Sequence, residues 1–540
     1  MLFNSLEFLV FLAVVYALYR VLAFRWQNWM LLAASYIFYG WWDWRFLFLM
    51  ILSTSVDFWT GLVLDRGRLR LAERLVPALF LTSAAVFLIG FDATEVFHRI
   101  GGGEARRPIV SALMPYVLVG MPAFLGAALL AYRLLVSLEE EARRKACMVL
   151  SIVVQLAVLG FFKYFNFFVD SMHDALEGIG FQPERFHLEI VLPVGISFYT
   201  FQSMSYAIDI YRRELKPTDR FFDFALFVSF FPQLVAGPIE RARNLLPQMT
   251  TPRTITGDQT RRGLFLIAFG LFKKIAIADG MAQTADSAFA IADPTWGTVV
   301  AGTLAFAVQI YCDFSGYSDI ARGVAKLFGV ELMYNFNQPY FARSPREFWQ
   351  RWHISLSTWL SDYLYKPLGG NRGSLAFTCR NLMLTMILGG LWHGAAWNYV
   401  LWGFYHGTLL SAHRVLVGRF GPASDGRALA VLKMAGFGML TLYGWLLFRA
   451  RSLEQVAVHT TTLFTGKGGL AFEAARPALS AVIGVVLLMV WEIAQYRRGG
   501  DARFYRALPT ARTGLALAIM LFLILMGTSN EPAQFIYFQF

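Results

Sequence analysis

The chain has 540 residues, of which 57% are hydrophobic and only 16% charged, and its formal net charge is +12. Soluble domains carry about 25% charged residues, so this composition, with a mean hydropathy of +0.49, excludes an ordinary soluble globular protein. The excess positive charge lies in loops, where it first implies topology and contact with anionic lipid; nucleic acid is not expected as a partner.

Phe3–Leu22 is apolar and lacks the basic leader and small-residue cleavage site of a secretory signal, so it is expected to be a retained first helix. Further spans are predicted near residues 28–40, 44–64, 75–91, 109–136, 146–168, 222–237, 263–280, 297–312, 382–412, 428–448, 478–496 and 513–527. A simple span needs about 20 apolar residues, and several of these differ, so re-entrant and tilted pieces are expected within an all-α bundle of about 11 to 13 membrane helices. There is no internal repeat or inter-domain linker, and residues 1–540 read as a single membrane-embedded domain. Arginine clusters at 66–74, 241–262 and 497–512 mark cytoplasmic loops, which places both chain ends outside the cytoplasm. Cys147, Cys312 and Cys379 lie in or beside apolar segments without metal-ligand spacing, so neither disulfides nor a metal site is implied.

Ser344–Gly370 reads as an interfacial helix. Phe348, Trp352, Leu356, Trp359 and Tyr363 form an aromatic face, and Arg351, Ser355, Thr358 and Asp362 a polar one. Ser344-Pro345 is its start signal; Pro367, Gly369 and Gly370 are its stop.

The chemistry concentrates on histidine. His393 lies within a predicted span that has no Lys, Arg, Asp or Glu after Asn381, among Gly389, Gly390, Gly394, Ala395 and Ala396, with Trp392 and Trp397 beside it. An ionisable group at membrane depth is costly and generally functional, and small neighbours allow close approach of helices or ligand. His353 sits in a second Trp-His pair, and both suit general acid–base work. The alternatives are a core histidine bonded to a carbonyl for His393 and a headgroup contact for His353. His98, His173, His187 and His459 read as solvated, and His406 and His413 as structural or interfacial. Gln202, Gln309, Tyr317 and Asp313 are polar groups in apolar runs; most such groups satisfy backbone opened by broken helices, whereas Asp313 needs a partner, His353 or an arginine. Pro193 and Gly195 fit a re-entrant turn.

LPVGISFYTFQSMSYAIDIYR (192–212), FVSFFPQLVAGPIERARNLLPQ (227–248), YCDFSGYSDIARG (311–323), EFWQRWHISLSTWLSDYLYKPLGGNR (347–372) and LGGLWHGAAWNYVLWGFYHG (388–407) together resemble the membrane-bound O-acyltransferase superfamily. The bacterial branch of alginate and peptidoglycan O-acetyltransferases and teichoic-acid D-alanyltransferases is the most similar in pattern, the alginate type above all. The opening MLFNSLEFLVFL and the ending FIYFQF resemble that branch too; the insertion Phe91–Pro108 and a long loop, Arg451–Pro477, do not belong to the pattern.

The resemblance implies acyl transfer through a tunnel across the membrane, with a catalytic core within residues 146–415. His393 matches the family's central histidine and His353 its second polar position. The expected reaction moves acetyl from cytoplasmic acetyl-CoA across the inner membrane to an exported polysaccharide, alginate-like or peptidoglycan. Periplasmic acetyltransferase or acetyl-carrier subunits would be partners. A transporter and a non-catalytic scaffold are the rival classes. Arg241, Arg243 and Arg351 are the cations expected at the donor's phosphates. Tyr537, in an aromatic tail that resembles a small partner protein of the D-alanylation branch, is either an interfacial anchor or an acyl relay.

Overall fold

The computed structural model describes residues 1–92, 95, 108–234, 237–421, 426–498, 510–528 and 533–536. Among these the regular structure is helical, and the only β feature is an isolated bridge, Phe91 to Val110. Among the described residues eight helices are long and apolar enough to cross a membrane, and Gly514–Gly527 is a shorter apolar one. The chain forms two compact units: the first is Met1–Val235 with Ile239–Ile255 and Phe328–Glu331, the second Ala236–Pro238 with Thr256–Leu327 and Leu332–Phe540.

In the first unit, the Leu47–Arg66, Glu140–Leu159 and Ile196–Tyr211 helices pack around buried polar groups. Asp57, fully buried, accepts from Ser151 Oγ at 2.6 Å and Gln155 Nε2 at 2.8 Å. Arg144 caps the carbonyls of Leu64, Ile210 and Tyr211. Apolar packing holds helices together weakly where lipid is the alternative, so such bonds supply specificity. The expected turn at Pro193 and Gly195 is present. Gly195 has φ +75°, and a Cβ there would lie 2.7 Å from the Leu234 carbonyl oxygen, so both conformation and space require glycine. The predicted span at 222–237 is instead two short helices, Phe221–Ser229 and Phe231–Leu234. Gln202 and Gln233 both donate to the Phe227 carbonyl, at 3.0 and 2.9 Å. That bond pays the backbone cost of the break.

In the second unit, the 32-residue Trp296–Leu327 helix is the central element. It lies against Gly257–Leu271 through two reciprocal glycine contacts, Gly263 with Gly323 and Gly270 with Gly316. A Cβ at any of the four would come within 2.4 to 2.8 Å of the facing carbonyl oxygen. Small residues are what let backbones meet at this distance. The loop expected at Arg451–Pro477 contains a helix, Leu453–Thr465, capped by Ser452. Its following turns hydrogen-bond to the start of the central helix, where Trp296 and Gly297 N–H donate to the Lys467 and Gly469 carbonyls. Nearly all of the 91–108 insertion lies outside the described residues.

Two sequence expectations fail here for one reason: a glycine or a strained residue interrupts the hydrophobic pattern. The span predicted at 382–412 is two helices. Leu375–His393 ends at His393, Gly394 is extended at φ −160°, and Trp397–Phe420 starts anew. The helix predicted at Ser344–Gly370 does start where expected, with Ser344 accepting from the Glu347 N–H. It then breaks into Pro345–Trp349 and Ile354–Leu360, with His353 between them in a left-handed conformation, φ +42°. Phe348, Trp352, Leu356, Trp359 and Tyr363 are each 8% exposed or less. Their face is therefore packed in protein, not laid on lipid.

Candidate active site

The break after Leu375–His393 and the kink at His353 bring two imidazoles together. The His353 and His393 ring centroids are 6.4 Å apart, and the side chains come from segments 40 residues apart in sequence. His353 is fully buried and His393 is 5% exposed.

Aromatic rings enclose the pair. His393 meets Trp392 at 5.0 Å, Trp402 at 5.1 Å and Phe448 at 5.3 Å between centroids. His353 stands edge-on to Phe314 at 4.6 Å and lies 6.0 Å from Trp392. Such a wall excludes water and holds ring orientation. The turn at His393 is possible because the two helices that meet there touch through Gly390 and Gly403. A Cβ on Gly390 would sit 2.2 Å from the Tyr399 carbonyl oxygen, and one on Gly403 would sit 2.3 Å from that of Met386.

The orientation of His353 follows from Asn335. Asn335 Oδ1 accepts from the Ser355 N–H at 3.3 Å and from Ser355 Oγ at 2.9 Å, and its Nδ2 donates to Ser318 Oγ at 3.2 Å. The backbone N–H identifies the amide oxygen. His353 Nδ1, 3.1 Å from that oxygen, is thereby the protonated nitrogen, and Nε2 carries the lone pair. The Ile354 N–H also donates to the Asn335 carbonyl, at 2.9 Å. These bonds account for the left-handed backbone at His353, a conformation that is held only where the surroundings determine it.

A third histidine belongs to this cluster. His406, 2% exposed, stands edge-on to Trp402 at 4.8 Å and to Trp349 at 5.2 Å between ring centroids. Its sequence neighbourhood had suggested a structural or interfacial place. His459, expected to be solvated, is 1% exposed and stacks on Phe289 at 5.1 Å. His187 is exposed, as expected; His173 is half-buried instead, its Nδ1 3.4 Å from Asp174; and His98 is outside the described residues.

Asp313 has neither of its expected partners. It pairs with Lys274 Nζ at 3.0 Å, and Lys274 also meets Asp279 at 2.8 Å; all three side chains are 1–4% exposed. The lysine sits in a wide π-turn, Phe272–Ala278, that aims it inward, and no hydrophobic period reveals such a turn. This cluster also holds the segment 533–536. Lys274 Nζ donates to the Ala533 carbonyl at 2.8 Å, and the Ile536 N–H donates to Asp313 at 2.7 Å. Phe535 and Ile536 are fully buried; Phe535 packs on Tyr317 at 4.2 Å and reaches Phe314, the ring against His353, at 6.3 Å. Tyr537 lies outside the described residues.

Of the remaining sequence-selected residues, Trp352 and Trp392 are buried in the aromatic cluster, whereas Trp397 is 53% exposed. Gln309 is buried on the central helix, and its Oε1 has no hydrogen-bond donor among the described residues. Gln202 is in the first unit. So are Arg241, buried at the head of Ala242–Thr250, and Arg243, paired with Glu214 at 3.1 Å. Arg351, in the second unit, gives two bonds to Glu347 and one to the Asn337 carbonyl.

Comparison with known proteins agrees with this architecture. Residues 213–451 match the family described as MBOAT, membrane-bound O-acyltransferase. The chain is 41% identical over 456 residues to the probable alginate O-acetylase AlgI of Pseudomonas aeruginosa, covering 84% of this chain and 73% of that protein. It is 36% identical to the Pseudomonas putida protein of the same name over the full length of both. A peptidoglycan O-acetyltransferase of Helicobacter pylori is 34% identical over 62% of this chain and 68% of its own length. With its apolar helices and this likeness, the chain belongs to the membrane-bound O-acyltransferase family: it is a multi-pass membrane enzyme that transfers an acyl group from a donor.

Proposed function

We propose that this protein is an O-acetyltransferase of the bacterial inner membrane. It takes acetyl from acetyl-CoA on the cytoplasmic side and delivers it across the membrane for O-acetylation of an exported, alginate-like polysaccharide. Peptidoglycan, the polymer in the name of the Helicobacter relative, is the second candidate acceptor. The protein acts as one membrane-embedded domain, its catalytic core within residues 146–415 and both chain ends periplasmic.

The observation that carries this reading is the buried, aromatic-walled pair of His393 and His353 at 6.4 Å. His393 is the general base. It takes the proton from an acceptor hydroxyl as that oxygen adds to the thioester carbonyl. It returns the proton to the departing sulfur as the C–S bond breaks. His353, fixed by Asn335 with Nδ1 protonated, presents Nε2 to orient donor or acceptor through a hydrogen bond. No metal is invoked.

The acceptor on the exit side is the Tyr537 hydroxyl, which passes the acetyl group to a periplasmic acetyltransferase or acetyl-carrier subunit. A phenol has a pKa near 10 and leaves more readily than a sugar alkoxide, so an acetyl-tyrosine stays activated and divides one hard transfer into two. The anchoring of Ala533 and Ile536 by Lys274 and Asp313, one aromatic ring away from His353, supports this placement.

The test is transfer of label from acetyl-CoA by the purified protein in vesicles. His393→Ala should insert normally and lose transfer by a factor of about 100 or more, the scale of general-base loss. Transfer at the wild-type rate by a well-inserted variant refutes the assignment.

A further inference from the structure

Three helices of the first unit begin at one place. Phe24–Asp43, Leu71–Leu88 and Phe221–Ser229 each put residues of their first turn on the wall of an open cavity of about 380 Å³. The wall is largely aromatic. Trp29 packs on Phe222 at 4.2 Å between ring centroids, and Phe58 stands edge-on to Phe221 at 5.3 Å. Trp29 is 48% exposed; Trp26, on the same helix, and Leu71 and Leu75, at the start of the second, are exposed as well. Tryptophans at the end of a membrane helix belong at the level of the lipid headgroups. The cavity therefore stands at headgroup depth, beside apolar side chains that face acyl chains.

Most polar side chains on the wall are already engaged. Glu73 takes Arg66 at 3.0 Å and the Arg70 N–H at 2.8 Å. Asp223 accepts from Asn28 Nδ2 at 2.9 Å and faces Arg220 at 3.7 Å. Two charges are left over. Arg25 and Asp219, both exposed, form no ion pair and no side-chain hydrogen bond among the described residues.

One free cation and one free anion at the rim of an aromatic cavity describe the ligand. An anionic lipid or a simple phosphate would satisfy Arg25 and be repelled by Asp219. A zwitterionic headgroup satisfies both. Arginine forks match phosphate oxygens, and a primary ammonium has three N–H donors for a carboxylate, which a quaternary one lacks.

We propose that this cavity binds a zwitterionic phospholipid of the phosphatidylethanolamine class, with Arg25 on the phosphate, Asp219 on the ammonium and the acyl chains along the exposed apolar side chains of the Leu71–Leu88 helix. The site is remote in sequence from both histidines of the proposed reaction and does not depend on that reading.

The full chain, purified and delipidated in detergent, is titrated with phosphatidylethanolamine, phosphatidylcholine and phosphatidylglycerol, and bound lipid is counted by native mass spectrometry. The wild type should bind phosphatidylethanolamine most tightly. Arg25→Gln should weaken the ethanolamine and choline lipids alike, by about threefold to fivefold, the scale of one exposed ion pair. Asp219→Asn should weaken the ethanolamine lipid by a similar factor and the choline lipid less, so that the preference between them disappears. Ala72→Trp fills the cavity without touching either charge and should lower phosphatidylethanolamine binding as well. Should a charge variant melt early without lipid, Ala72→Trp is read in its place.

Equal affinity of the wild type for the three lipids overturns the proposal, as does an ethanolamine preference that survives Asp219→Asn or Ala72→Trp. Tighter binding of phosphatidylglycerol marks an anion site and overturns the zwitterionic assignment. Glycerophosphoethanolamine, which has the headgroup without acyl chains, is the last probe. If it binds as tightly as the lipid, the cavity belongs to a soluble phosphoamine and the lipid assignment falls.

Discussion

Replacing Lys274 by Met tests whether the buried charge cluster holds the second unit together. The side chain is 1% exposed, and its Nζ lies 2.8 Å from Asp279 and 3.0 Å from Asp313, which are 4% and 2% exposed. The facing oxygens, Asp279 Oδ1 and Asp313 Oδ1, have no well-angled hydrogen bond, so the lysine charge is their principal compensation. Met retains most of the stem and removes the charge, leaving two carboxylates buried together. Breaking a buried pair in this way costs about 3–5 kcal/mol, most of it the penalty of the stranded charge. The bond to the Ala533 carbonyl is lost as well, so the C-terminal segment loosens. Lys274→Met combined with Asp279→Asn and Asp313→Asn removes every charge at once, and should recover most of the loss because neutral buried groups need only hydrogen bonds. The assay is thermal unfolding in detergent, followed by a thiol-reactive dye. Cys312, fully buried beside Asp313, reports opening of this region when Cys147 and Cys379 are replaced. A single variant that melts with the wild type refutes the reasoning. So does a triple variant no more stable than the single one, since the cost would then not be electrostatic.

His353→Ala should reduce transfer strongly and His353→Asn less so, if the role is hydrogen bonding; equal rates for the two, measured with labelled acetyl-CoA, exclude it. Asn335→Ala removes the acceptor of His353 Nδ1 and of Ser355, and should impair transfer while leaving CoA affinity intact. Gly403→Val should prevent accumulation of folded protein in the membrane, because the nearest carbonyl oxygen lies 2.3 Å from the position of a Cβ; normal accumulation would mean that the two helices can separate. Tyr537→Phe keeps the ring and removes the hydroxyl. It should abolish acetylation of the polymer while donor binding survives, and normal polymer acetylation would leave the tail as an anchor only.

Much of this protein is dictated locally and was therefore legible in the chain. Long apolar stretches with few charges specify helices for a bilayer, because in hydrocarbon a backbone must satisfy its own hydrogen bonds. The Ser344-Pro345 start, the turn at Gly195 and the small residues around His393 each act within a few positions, and each has the structural effect its chemistry suggests. The two Trp-His pairs stood out because ionisable groups are scarce in apolar surroundings. What hydropathy could not show is where an apolar run stops being one helix. The extended Gly394 divides the predicted 382–412 span, and the left-handed His353 divides the 344–370 helix, without any change in average hydrophobicity. Partner choice was equally hidden. Lys274, and not His353 or an arginine, meets Asp313; Asn335 orients His353; and His406 joins the aromatic cluster. These contacts depend on distance in space, since Lys274 and Asp313 are 39 positions apart in the chain and Asn335 and His353 are 18 apart. Periodicity assigns a residue to a face of its own helix. Only packing decides which helix that face meets, and a buried charge takes whichever opposite charge the packing brings within reach.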